Sequence, residues 1–379
     1  ISYNIRSLTV RWKTTLLSVS GFALVVASLV IMLACVKGVR TVCVASGEEQ
    51  NVLVLNRGNN DEALNRMVYD VVAQVENTEG IARDGTGRPL ASRELFVLVQ
   101  PYSEAVGGYV FLQVRGVTEA AFLVHSKVKI IAGRPFEAGR GEVIIGRAIQ
   151  QSKNLEIGDQ VDIGDRSWTI VGVFEAAAAA FESEVWCDLS EVASLLRLEG
   201  LYSSVVLRAQ NESAAEKMAE SLSEASQVSV KAVVEPDYYA EQSEQMQFIE
   251  LAVLIIGTIM GVGSVFAIMN TMFASISQRS RDIALLRLLG YESWQILVAF
   301  LAEAIGVALI GGGAGMALGF LANGVSHSVT IGQHELAFAF QVDGAVLGVA
   351  TAFTLAMGVG GGILPAVSAM RIKPIVALR

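Results

Sequence analysis

The chain has 379 residues, 53% of them hydrophobic and 17% charged, and a formal net charge of −9. An ordinary soluble domain is about 25% charged, so this composition excludes a wholly soluble protein. The histidines His125, His327 and His334 lack metal-ligand spacing, and no nucleic-acid partner is expected.

Apolar residues gather in four blocks, 16–36, 248–274, 296–321 and 343–364. Each is near the roughly 20 residues that cross about 30 Å of hydrocarbon. The first, LLSVSGFALVVASLVIMLACV, is longer than the apolar core of about 7 to 15 residues in a signal peptide, and Cys35-Val36-Lys37 is a poor cleavage site. It reads as a membrane helix. Of the three cysteines, Cys35 lies in that block, so only Cys43 and Cys187 can pair; small buried thiols are the expected state.

The charges set the topology. Between Lys37 and Gln247 there are 31 acidic and 19 basic residues, a net of −12. The other nine basic residues are Arg6, Arg11, Lys13, Arg279, Arg281, Arg287, Arg371, Lys373 and Arg379, and the loop Ala322 to Val342 has none. Short loops rich in Lys and Arg stay in the cytoplasm. The expected arrangement is therefore a cytoplasmic (inner) membrane protein with both termini and 275–295 inside. Residues 37–247 lie outside, and 322–342 is a short, unremarkable outer loop.

In chain order, residues 1–15 place Ile5, Leu8 and Trp12 at helical spacing among Arg6, Arg11 and Lys13, as in a helix lying on the cytoplasmic membrane surface. A solvated positive flank that only orients the first span is the alternative. The outer domain opens on a strand, Asn51 to Leu55, then a helix from Glu62 to Val75. Period-2 strands follow at Glu94 to Val99, Tyr109 to Val114, Glu142 to Ile145, Gln160 to Ile163 and Trp168 to Val173. A short helix spans Arg147 to Asn154, and the segment after it, with turns at Gly158-Asp159 and Gly164-Asp165, reads as a small β-barrel or β-rich unit. The run Ala176 to Ala180 reads equally as a hinge or a short exposed helix. A strand from Ser203 to Ala209, a helix from Ser213 to Ala225 and a strand from Val228 to Val234 close the domain. From Asp237 one continuous helix should run as a stalk into the second span. The fold class is an α-helical membrane protein with four transmembrane helices plus an α+β extracytoplasmic domain of two lobes, a βαβ-type lobe and an inserted β-rich lobe.

The chain has no GxxxxGK[ST], GxSxG, HExxH or CxxC motif, and no constellation of nucleophile, base or metal ligands is visible. The glycine runs lie inside the spans, where small residues let helices approach closely. The segment Ser275 to Gln295 is basic, predicted helical from Gln278 to Leu289, and ended by Gly290 at the C′ position. Its Leu285, Leu286, Leu288 and Leu289 need a cover, either neighbouring spans or a partner. Glu303 is a carboxylate within a span, which costs roughly 2.5 to 3.5 kcal/mol on insertion scales. A place in a proton path is one reading; the favoured expectation is a bond to that segment or its basic residues.

Three stretches carry a resemblance: QRSRDIALLRLLGYESWQI after the second span, FLAEAIGVALIGGGAGMALG at Phe300 to Gly319, and PAVSAMRIKPIVALR at Pro365 to Arg379. With AGRPF, EVIIGRAI, LEIGDQV and WTIVGVF in the outer domain, they resemble the FtsX-like permease family, specifically its macrolide-exporter-like (MacB-like) members. Among the departures, Asp282 stands where the family often has Glu and keeps the charge, and the run Ala176 to Ala180 matches no motif of the family. The resemblance implies the transmembrane subunit of an ABC transporter, paired with a second permease copy and two copies of a cytoplasmic ABC ATPase. That ATPase, on a separate chain, would bind ATP and Mg; this chain is then not itself the enzyme and has no cofactor. A periplasmic membrane fusion protein or substrate-binding partner and the lipid bilayer complete the implied surroundings. By position, the ATPase contact would be Gln278, Arg279, Arg281, Asp282, Leu285, Leu286, Arg287, Leu289 and Gly290, with a smaller contact at Arg371 and Lys373. The implied function is conversion of ATP hydrolysis into outer-domain motion (mechanotransmission) that drives export. Lipoprotein release, regulation of cell-wall hydrolases, and a non-transporting sensor or adaptor remain as alternatives.

Overall fold

The computed structural model describes residues 12–103, 108–109, 111–225, 228–244, 247–331 and 334–371. The reading of residues 1–15 as a surface helix thus falls almost wholly outside the described residues, as does Lys373. The chain divides into a helical unit (up to Lys37, 247–325, and from Phe340) and a mixed unit (Gly38–Met246 and Ser326–Ala339).

The first helix, α1 (Trp12–Ser46), does not stop at residue 36. Nothing between Lys37 and Ser46 breaks a helix, and the Lys127 ammonium caps its end by donating to the carbonyls of Ala45 and Gly47 (2.8 and 2.6 Å).

In the mixed unit, β1 (Asn51–Asn56) is followed by α2 (Tyr69–Val75) and β2 (Ala91–Val99). The single helix expected from Glu62 to Val75 is broken. A 3-10 turn at Glu62–Leu64 ends at Asn65, whose side-chain amide donates to the Ser203 carbonyl (2.6 Å), and Arg66 also reaches Ser203. Next come β3 (Leu112–Val117), α3 (Ala121–Val124), β4 (Lys129–Gly133), β5 (Glu142–Gly146), α4 (Arg147–Lys153), β6 (Gln160–Ile163) and β7 (Arg166–Glu175). The strand β8 (Glu184–Asp188) and helix α5 (Leu189–Leu195) carry no sequence expectation. Last are β9 (Ser204–Arg208), α6 (Glu212–Glu224), β10 (Val230–Val234) and α7 (Glu235–Glu244).

These ten strands form one sheet in the order β10-β1-β9-β2-β3-β8-β5-β7-β4, with β6 paired to β7. Both β9 and β10 run antiparallel to β1, so β9-α6-β10 is a βαβ unit closed around a strand from the other end of the domain. The inserted lobe, β3 to β8, joins through β2, whose residues 91–94 pair with β9 while 95–99 pair with β3. It extends the sheet rather than closing a barrel. Strands β5 and β8 are buried on both faces: Val143, Ile145, Val185 and Cys187 pack with Trp168 and Val192, while Ile144 and Trp186 pack with Phe174 and Phe181. All three cysteines are free.

The alanine run forms a left-handed turn that leads into a 3-10 turn at Ala180–Ser183, not an exposed helix. Ala177 and Ala178 adopt left-handed φ (52° and 62°), held by Glu182, whose carboxylate accepts from the N–H of Ala176 and Ala178. Ala176, Ala179 and Phe181 are buried.

The helical unit adds α8 (Gln247–Gln278), α9 (Ser280–Leu288), α10 (Ser293–Phe320) and α11 (Gly344–Met370). Among the described residues four helices are long and apolar enough to cross a membrane: Val19–Ser46, Phe248–Gln278, Ser293–Phe320 and Gly344–Met370. The stalk expected as one helix is described as α7 and α8, and the two residues between them lie outside the described residues. Helix α11 continues through Pro365 to Met370. Glycines spaced by four make the seams. A Cβ on Gly315 or Gly319 of α10 would lie 2.4 Å from the Ala23 carbonyl or 2.6 Å from Val30 of α1. One on Gly358 or Gly362 of α11 would meet Ala308 or Ala304 of α10 at 2.8 and 2.6 Å. The loop at 322–342 is not featureless: it holds a hairpin, β11 (Ser326–Ile331) with β12 (His334–Ala339), that belongs to the mixed unit. There the Ser183 hydroxyl accepts from the Ala337 N–H at 2.8 Å.

Candidate functional site

Two constellations stand out, one in each unit. In the helical unit, α8 ends at Gln278 and α9 starts at Ser280, two residues later than the predicted start. Arg279, at the break, is buried and donates from both terminal nitrogens to the Glu303 carboxylate of α10 (3.1 and 3.2 Å). A bidentate pair of this kind lets a carboxylate sit within a helix bundle. At the other end of α9, Arg287 donates to the Met370 carbonyl (2.8 Å), one of the orphan acceptors at the end of α11. Gly290 has φ +97°, and the N–H of Tyr291 and Gly290 bond to the carbonyls of Leu286 (3.1 Å) and Arg287 (3.2 Å). That is a complete Schellman stop, as the glycine predicted.

Between these anchors α9 buries Ile283 and Ala284 and leaves Leu285, Leu288 and Leu289 at 49%, 60% and 77% exposure. Gln278, Arg281 and Asp282 are exposed, Leu286 is half-buried, and Arg371 caps α11 in the open. Tyr291 and Trp294 continue the apolar surface at 52% and 58%. The result is a short, rigidly held helix presenting leucines beside charges of both signs.

The second constellation lies in the mixed unit and has no counterpart in the sequence reading. Register sets Arg115 of β3 opposite Phe96 of β2 and Trp186 of β8. Its five N–H donors are all used. They reach Glu184 (2.7 and 2.8 Å), Glu94 (2.7 Å) and both oxygens of Glu62 (3.1 Å each), and the guanidinium lies between the rings of Phe96 and Phe181 (5.0 and 5.2 Å). The second Glu94 oxygen pairs with His125 Nε2 at 2.7 Å, and His125 Nδ1 stands 3.7 Å from Glu235. None of these six side chains is more than 4% exposed. Burial alone would lower His125, but the charge of Glu94 beside it, aided by Glu235, raises it to about 9. Burial would raise Glu94, yet His125 and Arg115 hold it at about 2. For Glu235 burial prevails over His125 and the Asn51 hydrogen bond and pushes the carboxyl up to about 7. Because Arg115 fills the centre, the acids surround a cation already in place. Among the described residues no group of three His, Cys, Asp or Glu is disposed to hold a metal ion.

The family profile described as MacB-like periplasmic core domain matches residues 15–225, more than half of the chain, and that described as FtsX-like permease C-terminal matches residues 254–374. The chain belongs to the MacB/FtsX-type ABC transporter permeases. An uncharacterized ABC transporter permease of Methanocaldococcus jannaschii is 26% identical over 236 residues, covering 60% of this chain and 58% of its own. The macrolide export ATP-binding/permease protein MacB of Hahella chejuensis is 28% identical over 233 residues, 59% of this chain and 35% of that one. The uncharacterized ABC transporter permease YknZ of Bacillus subtilis is 28% identical over 291 residues, 70% and 69% of the two chains. The match thus spans well under two thirds of the first two relatives. In this MacB-like permease the mixed unit is the extracytoplasmic domain. The C-terminal match contains all of α9 with Arg279 and Glu303, and the core-domain match contains Arg115, Glu62, Glu94, His125 and Glu184 but ends before Glu235.

Proposed function

We propose that this permease couples ATP hydrolysis by an ABC ATPase to movement of its extracytoplasmic domain, driving export or extraction of a substrate at the outer side of the membrane. The observation that supports this best is α9. It is pinned at one end by Arg279 to Glu303 and at the other by Arg287 to the end of α11, and its exposed leucines need a protein cover. In this reading Gln278 to Gly290, with Arg371 beside them, receive the push of two ATPase copies, which hold ATP and Mg. A second copy of the permease completes the membrane part, and a membrane fusion protein is the outer partner in export. The distribution of Lys and Arg supports both termini and α9 lying on the cytoplasmic side of the inner membrane.

The test is a mild-detergent pull-down of the chain with mass spectrometry and an ATPase assay on the eluate, repeated with Arg281→Glu and Leu285→Asp. Both side chains are exposed, so the variants should fold. Co-purifying ATPase activity that both variants lose is the expected result. Eluates without any ATPase would leave a non-transporting sensor or adaptor as the better reading.

A further inference from the structure

The root of the extracytoplasmic domain is where α1 ends and α7 begins, and the two are fastened to each other. A Cβ on Gly47 would lie 2.5 Å from the Cα and N of Pro236, so the backbones are in close contact. The Glu48 N–H donates to Glu235 Oε2 (3.1 Å), and Asn51 Nδ2 donates to the same oxygen (2.9 Å). Glu235 is the first residue of α7, is 1% exposed, and faces His125 Nδ1 at 3.7 Å. One carboxyl therefore joins the end of α1, the start of β1, the start of α7 and the His125–Glu94 pair.

Charge counting shows what that carboxyl must do. Glu62, Glu94, Glu184 and Glu235 are four buried acids against two buried cations, Arg115 and His125. Full ionisation would leave this buried cluster at −2, a costly arrangement, and a neutral Glu235 halves that to −1. Three of the acids are bonded directly to the guanidinium; Glu235 is not. The other groups that face it do not change this. Glu48, from the end of α1, is acidic and already engaged by Arg208 of β9, Ser126 and the Lys127 N–H. The Lys127 ammonium is spent on the carbonyls of Ala45 and Gly47, and Tyr238 and Tyr239 of α7 are neutral phenols pushed further up by burial.

We propose that Glu235 is a proton-gated clasp: neutral, it stays buried and locks the first turn of α7 to the end of α1 and to His125; ionised, it seeks water and releases that turn. A cavity of about 40 Å³, large enough for two or three water molecules, lies on the Arg115 side of the cluster, lined by Arg115, Glu62, Glu184, Tyr238, Tyr239 and Gln242; Glu235 does not line it but shares α7 with the two tyrosines that do. The elevated proton affinity that burial confers on Glu235 places the change near neutral pH. The inference stands apart from the transport reading, since its test requires no ATPase.

The test is hydrogen exchange with mass spectrometry on the full chain in nanodiscs at about pH 5.5 and about pH 8.5, corrected for intrinsic exchange rates. Protection of peptides covering residues 236–244 and 44–51 should fall about tenfold at the higher pH, and Glu235→Gln, neutral at every pH, should hold it constant. Unchanged protection in the unaltered chain, or the same fall in Glu235→Gln, would overturn the clasp. An infrared titration of the unaltered chain gives a second reading that needs no variant. A protonated-carboxyl stretch that disappears near neutral pH is expected, and a chain without it rules the proposal out.

Discussion

Removing the guanidinium of Arg115 would strand three buried carboxylates at once. Breaking a buried ion pair by taking one partner costs about 3 to 5 kcal/mol, because the remaining charge keeps its desolvation penalty. Arg115→Met is therefore expected to abolish the unfolding transition of the extracytoplasmic domain or lower its temperature strongly. Adding Glu62→Gln, Glu94→Gln and Glu184→Gln should recover much of the loss; thermal unfolding of the full chain in detergent checks both. Titration at the same cluster has a definite sign. Glu235 and His125 are raised from 4.5 to about 7 and from 6.5 to about 9, so each stabilises fully below its ordinary value and loses that contribution as pH rises through the raised one. Glu94, lowered from 4.5 to about 2, stabilises above 4.5 and loses its contribution as pH falls toward 2. The domain's melting temperature should thus decline from about pH 5 to about pH 9, by at least about 4 °C. Glu235→Gln should remove the part of the decline below neutrality.

Among elements, the glycine seams are the sharpest test of helix packing. Gly315→Leu must push α10 off the Ala23 carbonyl of α1, a steric cost of about 1 to 3 kcal/mol. Gly313, one turn face away, has nothing within 4 Å of its would-be Cβ, so Gly313→Leu should leave the melting of the solubilised chain unchanged. The Arg279–Glu303 pair obeys the logic of Arg115 on a smaller scale. Glu303→Ala leaves a buried guanidinium alone and should lower the melting temperature, while the double change Arg279→Met with Glu303→Met should restore it. Under the proposed coupling role, folding and coupling separate on α9 within seven residues. Ile283 is 2% exposed and Leu289 77% exposed, so Ile283→Asp should destabilise the chain. Leu289→Asp should leave stability intact and abolish only co-purification of ATPase activity.

For the whole molecule, the chain passes between the two units at four points: within α1, between α7 and α8, and on either side of the β11–β12 hairpin. Helix α1 passes from the helical unit into the extracytoplasmic domain without a break, and the β11–β12 hairpin between α10 and α11 is built into that domain. Along the chain, α9 is joined to that domain on one side through α8 and α7 and on the other through α10 and the hairpin, whereas α1 is reached only through the domain itself. The Glu235 clasp sits on one of these connections.

The four spans, the glycine seams and the Schellman stop at Gly290 were legible from sequence, because each depends on local hydropathy or on one residue's backbone freedom. So was the βαβ pattern at the end of the domain, where Ser204 to Val234 alternates strand, helix and strand. The ionic centre was not. Its members, at positions 62, 94, 115, 125, 184 and 235, come together only when β2, β3 and β8 align, and a lone Glu or Arg in a strand reads as a solvent-facing residue. The one available signal was parity: Glu94 shares its strand face with Phe96, and Arg115 shares its face with Val117. The late end of α1, the left-handed turn in the alanine run and the hairpin's place in the sheet-bearing unit were likewise decided by tertiary contacts. Hydropathy and turn chemistry are properties of neighbours along the chain; the pairing of distant charges is a property of the folded packing alone.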